Sequence, residues 1–267
     1  MALYFRTLRS SSGGNCLMLW TGETCMLIDC GLNTQKLCRT LLNQHTNNIA
    51  AIDAVLISHL HNDHICYSAL RVLQEHSIVV RIHEKLVTQF DHKHSIRNQF
   101  KNLKVKPFSN DPFCVGQLKC NSVKIPHSPQ HDNYGFIIRY RHQERWVKIV
   151  IMTDFYDWDC LLDHFVDADF IYVEANHNPH LLKKYPNPNS HYHMKNENVA
   201  DLLCNARKLS SHPPVAVMLG HLSKERNTKE FALQAIKDEF SNNSIKRDFK
   251  LYVAPADCAS PVIKITD

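Results

Sequence analysis

The stretch Ser58–His64 reads SHLHNDH and places three imidazoles and one carboxylate between His59 and His64. It follows Ala54-Val55-Leu56-Ile57, a short apolar run that reads as a buried strand, so the histidines begin where that strand ends. At a strand end the sheet holds the backbone while side chains project into a cleft, the place where open α/β folds bind ligands. Imidazole nitrogen and carboxylate oxygen are zinc ligands and also suit iron or manganese. Alternate residues of extended chain point to one side, which lets His59 and His61 bind one ion. Asp63 and His64, past the turn, face a second. Chance clustering is the competing reading in a chain with 18 histidines, but the strand-then-ligands context speaks against it.

Working outward, apolar strands end in candidate polar residues several more times. TCMLIDCG at Thr24–Gly31 is a strand ending at Asp29, a carboxylate whose burial requires partners. NSVKIPH at Asn121–His127 delivers His127 just before the polar loop Ser128–Asn133 and the strand beginning at Tyr134. The loop offers His131 as a second candidate, and spacing leaves the choice open. WVKIVIM at Trp146–Met152 stops at Thr153-Asp154, and VAVML at Val215–Leu219 stops at Gly220-His221. Phe170–Val173 is a further core strand leading to Glu174-Ala175-Asn176-His177, where His177 reads as structural. Helical spacing is present at Thr34–Asn43, Ile65–His76, His191–Leu203 (capped near Asn196) and Lys229–Phe240. The basic segment 84–110 reads as a solvated helix or loop. SSSGGNC at Ser10–Cys16 is a tight turn, equally readable as a plain hairpin or a functional loop. Strand, ligand turn, helix and strand around Ser58–His64 form a βαβ unit, so an α/β fold is expected.

Length and composition set the bounds. The chain has 267 residues, enough for one α/β domain, and 1–267 is expected to be a single domain. Its 44% hydrophobic and 21% charged residues belong to an ordinary globule. A net charge of +5 with a pI near 8.6 favours a polyanionic substrate without demonstrating one. Ten scattered cysteines include no C-x-x-C pair, which excludes a zinc ribbon or thioredoxin motif. With neither a signal-peptide core nor an apolar run near the roughly 18 residues of a span, the expectation is a cytoplasmic protein with no membrane partner. Oligomeric state is not legible.

Residues His59, His61, Asp63 and His64 resemble the H-x-H-x-D-H signature of the metallo-β-lactamase fold superfamily. The resemblance implies an αββα sandwich of two mixed sheets flanked by helices. It implies two divalent metal ions, zinc first, with manganese or iron accommodated. His59, His61 and His127 would bind one ion and Asp63, His64 and His221 the other. Asp154 would bridge them, and Asp29 would brace the metal loop without ligating. The five motifs occur in the superfamily's order.

Two strings narrow the resemblance. SSSGGNC and GHLSKERN (Gly220–Asn227) are similar to strings of the YycJ/WalJ-like branch, which is associated with nuclease activity on DNA. The branch's G-H-L-S-N-E string is matched by YHMKNE at Tyr192–Glu197, which keeps His193, Asn196 and Glu197 and replaces the glycine and serine. Ser128 stands where the branch commonly has Asp. The implied function is a dinuclear phosphodiesterase, most specifically a 5′–3′ DNA exonuclease, with Asp63, Asp154 and His193 catalytic and His193, Asn196 and Ser223 contacting a nucleic-acid or nucleotide substrate. The ions, about 3.5–4 Å apart, would share an activated water. Competing readings are a cyclic-nucleotide or small-phosphodiester phosphodiesterase, a thioester or lactone hydrolase of the same fold, and a binding module that keeps a structural metal.

Overall fold

The computed structural model describes residues 1–46 and 48–267. In chain order the elements are β1 (Tyr4–Ser11), β2 (Gly14–Trp20), β3 (Cys25–Ile28), α1 (Gln35–His45), β4 (Ala54–Ile57), α2 (Tyr67–Glu75), β5 (Val79–His83), α3 (Val87–His94), α4 (Ile96–Gln99) and β6 (Val105–Phe108). There follow β7 (Phe113–Val115), β8 (Leu118–Ile125), β9 (Asn133–His142), β10 (Arg145–Met152), α5 (Leu162–Phe165), β11 (Phe170–Glu174), α6 (Pro179–Lys184), α7 (Asn196–Leu209), β12 (Ala216–Gly220), α8 (Lys229–Asn242), β13 (Lys250–Val253) and β14 (Ile263–Lys264).

These strands form two seven-stranded sheets, ordered β14-β1-β2-β3-β4-β5-β6 and β13-β12-β11-β10-β9-β8-β7. Both are mixed in the same way. The β14-β1-β2-β3 and β7-β8-β9-β10 halves are antiparallel, while β3-β4-β5-β6 and β10-β11-β12-β13 are parallel.

The central parallel strands explain the layering. Every residue of β4 is buried: Ala54 and Leu56 enter the core between the two sheets, whereas Val55 and Ile57 pack outward beneath α1 and α2. In β11, Phe170 and Tyr172 face the inter-sheet core, and Ile171 and Val173 face α7 and α8. A strand covered on both faces reads as a continuous apolar run, because period-two alternation shows only when one face is wet. Burying each such side chain contributes about 1.5–3 kcal/mol. The three cores are the seams of a four-layer helix–sheet–sheet–helix sandwich, as the resemblance implied.

The strands that sequence reading missed, β6, β7, β13 and β14, all lie at sheet edges. Half-wet and only two to four residues long, they carry no apolar run to find. Segment 84–110 therefore holds α3 and α4, as a helix reading allows, but also the edge strand β6, in which Pro107 masks the pattern. The N-cap of α7 is Lys195, with no side-chain cap bond; Asn196 is already helical. Among the described residues, no helix is long and apolar enough to cross a membrane.

The end of β3, the β1–β2 hairpin and the Ser58–His64 loop are stitched together by backbone. Asn15 N donates to Asp63 O (2.7 Å), Cys30 N to His64 O (2.7 Å) and Gly31 N to Asn15 O (2.9 Å). The approach leaves no room for a side chain at Gly31, where a Cβ would stand 1.8 Å from Asp63 O. Gly31→Ala is therefore expected to force the loop away at a cost of about 3 kcal/mol or more. Thermal unfolding checks this, and a midpoint equal to wild type would contradict it.

Candidate metal centre

The candidate metal ligands and the carboxylates that support them stand at or beyond the carboxyl ends of strands. Asp29 follows β3, Ser58–His64 follows β4, His127 lies between β8 and β9, Asp154 follows β10, Glu174 ends β11 and His221 follows β12. Asp29, Asp154 and His221 adopt left-handed φ values of 58°, 61° and 52°. Such a conformation costs a non-glycine residue on the order of 1–3 kcal/mol and persists only where neighbours enforce it. Here the neighbours are visible. Asn133 Nδ2 donates to the carbonyls of Thr153 (2.9 Å) and Asp154 (2.7 Å), and Asn176 Nδ2 donates to His221 O (3.0 Å). His221 N in turn donates to Ser10 Oγ (2.8 Å).

The structure brings His59, His61 and His127 together with their ring nitrogens within 4.8 Å of one another. His59 Nε2 and His61 Nδ1 lie 3.0 Å apart, and the buried His127 Nε2 has no hydrogen-bond partner. Burial disfavours the charged imidazole at each position: His59 is held well below the usual histidine range, His61 is lowered to about 4 and His127 is also lowered. Neutral rings with converging lone pairs are what a divalent cation requires. His131, the alternative to His127, packs edge-on against His61 at 4.7 Å between ring centroids, but its nitrogens do not join the cluster.

Asp63, His64 and His221 form a second group beside the first. Asp63 Oδ2 is 3.4 Å from both His64 Nε2 and His221 Nε2. Asp154 lies between the groups, with Oδ2 3.1 Å from His64 Nε2 and Oδ1 3.5 Å from His221 Nδ1. It shares one ligand-sized cluster with His59 and His64 and another with Glu174, His193 and His221, and among the described residues its buried Oδ2 has His64 as its close polar neighbour. Burial opposes the Asp154 carboxylate, but His221 and His64 outweigh it and keep its pKa well below the ordinary range. Burial likewise opposes charge on His64 and His221, yet the surrounding carboxylates, Asp154 foremost, raise both. The unpartnered imidazole nitrogen of His127 and a mixed nitrogen–oxygen donor set fit divalent metal binding.

The supporting residues aim these rings. His64 Nδ1 donates to Asp29 Oδ2 (2.7 Å), turning Nε2 toward the centre, while Ser58 donates to Asp29 through N (2.8 Å) and Oγ (2.8 Å). Asp29 thus orients a ring and stays outside the donor cluster. Glu174 also orients rings, from the opposite sheet, while belonging to one of the ligand-sized clusters, and was not singled out from the sequence. Fully buried, its Oε1 accepts from Nδ1 of His193 (2.6 Å) and of His221 (2.9 Å), and its Oε2 accepts from Phe155 N (3.1 Å). The signal was present, because Glu174 ends an apolar strand as Asp29 and Asp154 follow theirs. Asn15, from the glycine-rich hairpin, donates through Nδ2 to Asp63 Oδ2 (3.2 Å), so that turn is part of the site.

A cleft of about 560 Å³ opens over the cluster, with Ser12, Asn176, Tyr192, His193, Ser223 and Arg226 among its lining. His193 and Ser223 therefore sit where substrate contact was expected. Asn196 does not. It is 1% exposed, and its amide exchanges hydrogen bonds with that of Asn227 (2.9 and 2.8 Å), which places it behind the cleft.

Two outcomes follow. Glu174→Gln leaves two imidazoles without their charged partner and is expected to weaken metal affinity about 10- to 100-fold, measured by chelator competition; unchanged affinity would contradict the orienting role. Because the carboxylates around His64 and His221 favour their charged forms without metal, a cation must displace their protons, so affinity falls as pH falls through those raised pKa values. Calorimetric metal titration in buffers of different ionisation enthalpy is expected to show proton release, and a buffer-independent heat would refute it.

Comparison with known proteins places this geometry. Residues 24–219 match the family model described as the beta-lactamase superfamily domain. Exodeoxyribonuclease WalJ of Streptococcus pneumoniae serotype 2 is 26% identical across 98% of this chain and 97% of its own. Exodeoxyribonuclease YycJ of Bacillus anthracis is 27% identical over 88% of each. Among solved structures, the metallo-beta-lactamase fold protein YhfI from Bacillus subtilis superposes with a TM-score of 0.72, covering 98% of this chain and all of that one at 17% identity. With a family model matched over most of its length and the ligand-bearing strand ends assembled at the seam of an αββα sandwich, the chain belongs to the beta-lactamase superfamily, in its metallo-β-lactamase fold.

Proposed function

We propose that the protein is a metal-dependent phosphodiesterase that degrades DNA as an exonuclease, working from the 5′ end. The observation that carries the reading is the pair of adjoining donor clusters, His59/His61/His127 and Asp63/His64/His221, with Asp154 between them, in a chain similar over nearly its whole length to an exodeoxyribonuclease. In this reading each trio would hold one divalent cation, with the Asp154 carboxylate between them as a shared ligand. Two such cations would make a water nucleophilic at neutral pH and draw charge from the phosphoryl oxygens. The mixed imidazole–carboxylate set favours zinc and accommodates manganese or iron.

The chain's own residues supply the rest. Asp63 and Asp154 balance the positive charge of the centre. His193 lines the cleft with its Nδ1 held by Glu174, so its other nitrogen faces substrate. Although burial opposes its charge, Glu174 raises its pKa, which favours the imidazolium. An imidazolium there hydrogen-bonds a phosphoryl oxygen and protonates the departing alkoxide. Ser223 offers a hydroxyl along the same wall.

Turnover of end-labelled single-stranded and duplex DNA, RNA, cyclic nucleotides, bis(p-nitrophenyl) phosphate and a thioester panel tests the reading. Thioester hydrolysis without any diesterase activity would overturn it. Asp63→Ala and Asp154→Ala are expected to abolish turnover with an unchanged circular dichroism spectrum, and undiminished activity in both would refute the site. His193→Ala is expected to lower kcat about 10²–10⁴-fold and to remove the alkaline limb of its pH profile, because a proton donor with a raised pKa is lost as pH rises through that pKa.

A further inference from the structure

Beside the cleft, across Arg226, lies a groove that the candidate metal-ligand cluster does not account for. Arg226 lines the cleft on one side and, on the other, a groove of about 540 Å³ formed with Lys184, Tyr185, Pro186 and Glu225. The Tyr185 side chain is displayed there, the residue being 43% exposed, with Lys184 Nζ over its ring at 5.2 Å from the centroid.

The platform is anchored at both ends through Arg226. Asn178, which caps α6, donates its N–H to Arg226 O (2.8 Å), and at the other end of the helix Arg226 Nε donates to Tyr185 O (2.6 Å). Arg226 N donates to Ser223 Oγ (3.2 Å), tying this arrangement to the loop that begins at His221. The Arg226 side chain is 16% exposed and its Nη2 pairs with Glu225 Oε2 at 3.0 Å, the one carboxylate among the groove's lining residues. Nη1 makes no hydrogen bond among the described residues and stays available to an anion.

A displayed aromatic ring on a fixed backbone, a flexible cation over it and a second cation at the junction with the reactive cleft match the way proteins hold single-stranded nucleic acid: bases stack on the ring and the backbone follows the cations. We propose that this groove is a nucleotide subsite, in which Tyr185 stacks on an unpaired base next to the scissile linkage and Arg226 takes the phosphate between groove and cleft. The assignment rests on the phosphodiesterase reading of the cleft and specifies its substrate as a single strand that extends past Arg226.

The test pairs binding with hydrolysis in the full chain. Binding of a fluorescent, phosphorothioate-linked single-stranded oligodeoxythymidylate is followed by anisotropy, alongside turnover of unmodified single-stranded DNA and of bis(p-nitrophenyl) phosphate. Tyr185→Ala is expected to weaken oligonucleotide binding roughly 5- to 150-fold and to lower the ratio of kcat/KM on DNA to that on the small diester by a similar factor. Tyr185→Trp, which keeps a stacking face, is expected to restore both. Equal oligonucleotide binding by wild type and Tyr185→Ala overturns the subsite even if both degrade DNA. A wild type that hydrolyses no phosphodiester but loses oligonucleotide binding in Tyr185→Ala keeps the subsite and removes the catalytic reading. A wild type that neither binds nor hydrolyses overturns both.

Discussion

Everything at the mouth of this sandwich turns on a balance between desolvation and pairing. Asp29, Asp154 and Glu174 are buried and Asp63 nearly so, against imidazoles that are themselves mostly out of water. An isolated buried carboxylate is penalised by several kcal/mol, and only close opposite charge or hydrogen bonding offsets this. The centre therefore divides in two. His59, His61 and His127 have no carboxylate at hydrogen-bond distance and stay neutral, whereas His64, His221 and His193 sit against carboxylates that favour their charged forms. A divalent cation would suit both halves, the first offering lone pairs and the second carboxylate charge.

That balance needs positional accuracy, and the backbone supplies it. The chain turns through a left-handed residue at Asp29, Asp154 and His221, and amide side chains on neighbouring strands and loops fix two of these turns. The absence of a side chain at Gly31 lets the β3 end close on the Asp63 backbone, which places His64 within reach of Asp29. Strain at strand ends and close-packed glycine are thus the mechanical counterpart of the charge arrangement. Arg226 extends the same logic to the rim, where one side chain and its backbone hold α6 at both ends.

Much of this was legible in the residues. Central parallel strands are covered on both faces toward their carboxyl ends, so AVLI, WVKIVIM and VAVML stand out as apolar runs, and the polar residue that ends each run is marked by contrast. This is why His59, His61, Asp63, His64, Asp154 and His221 could be named together with their order along the chain. Edge strands lack the contrast and went unseen. Glu174 carried the same mark as Asp154 but was read as part of a lead-in to His177. Asn196 was assigned to substrate because it sits near His193 in the string YHMKNE, yet the helix that begins there turns it inward onto Asn227.

By itself the sequence determined where apolar strands stop and which donors stand at their ends, because burial and ligand type are local properties of residue chemistry. Only the tertiary structure decided which donors meet. The meeting of His127, and not His131, with His59 and His61, the grip of Glu174 on two histidines, the reach of Asn15 across 48 positions to Asp63 and the groove beyond Arg226 all depend on how the two sheets face each other. Such contacts join segments that no local periodicity relates, so they exist only once the inter-sheet core has closed.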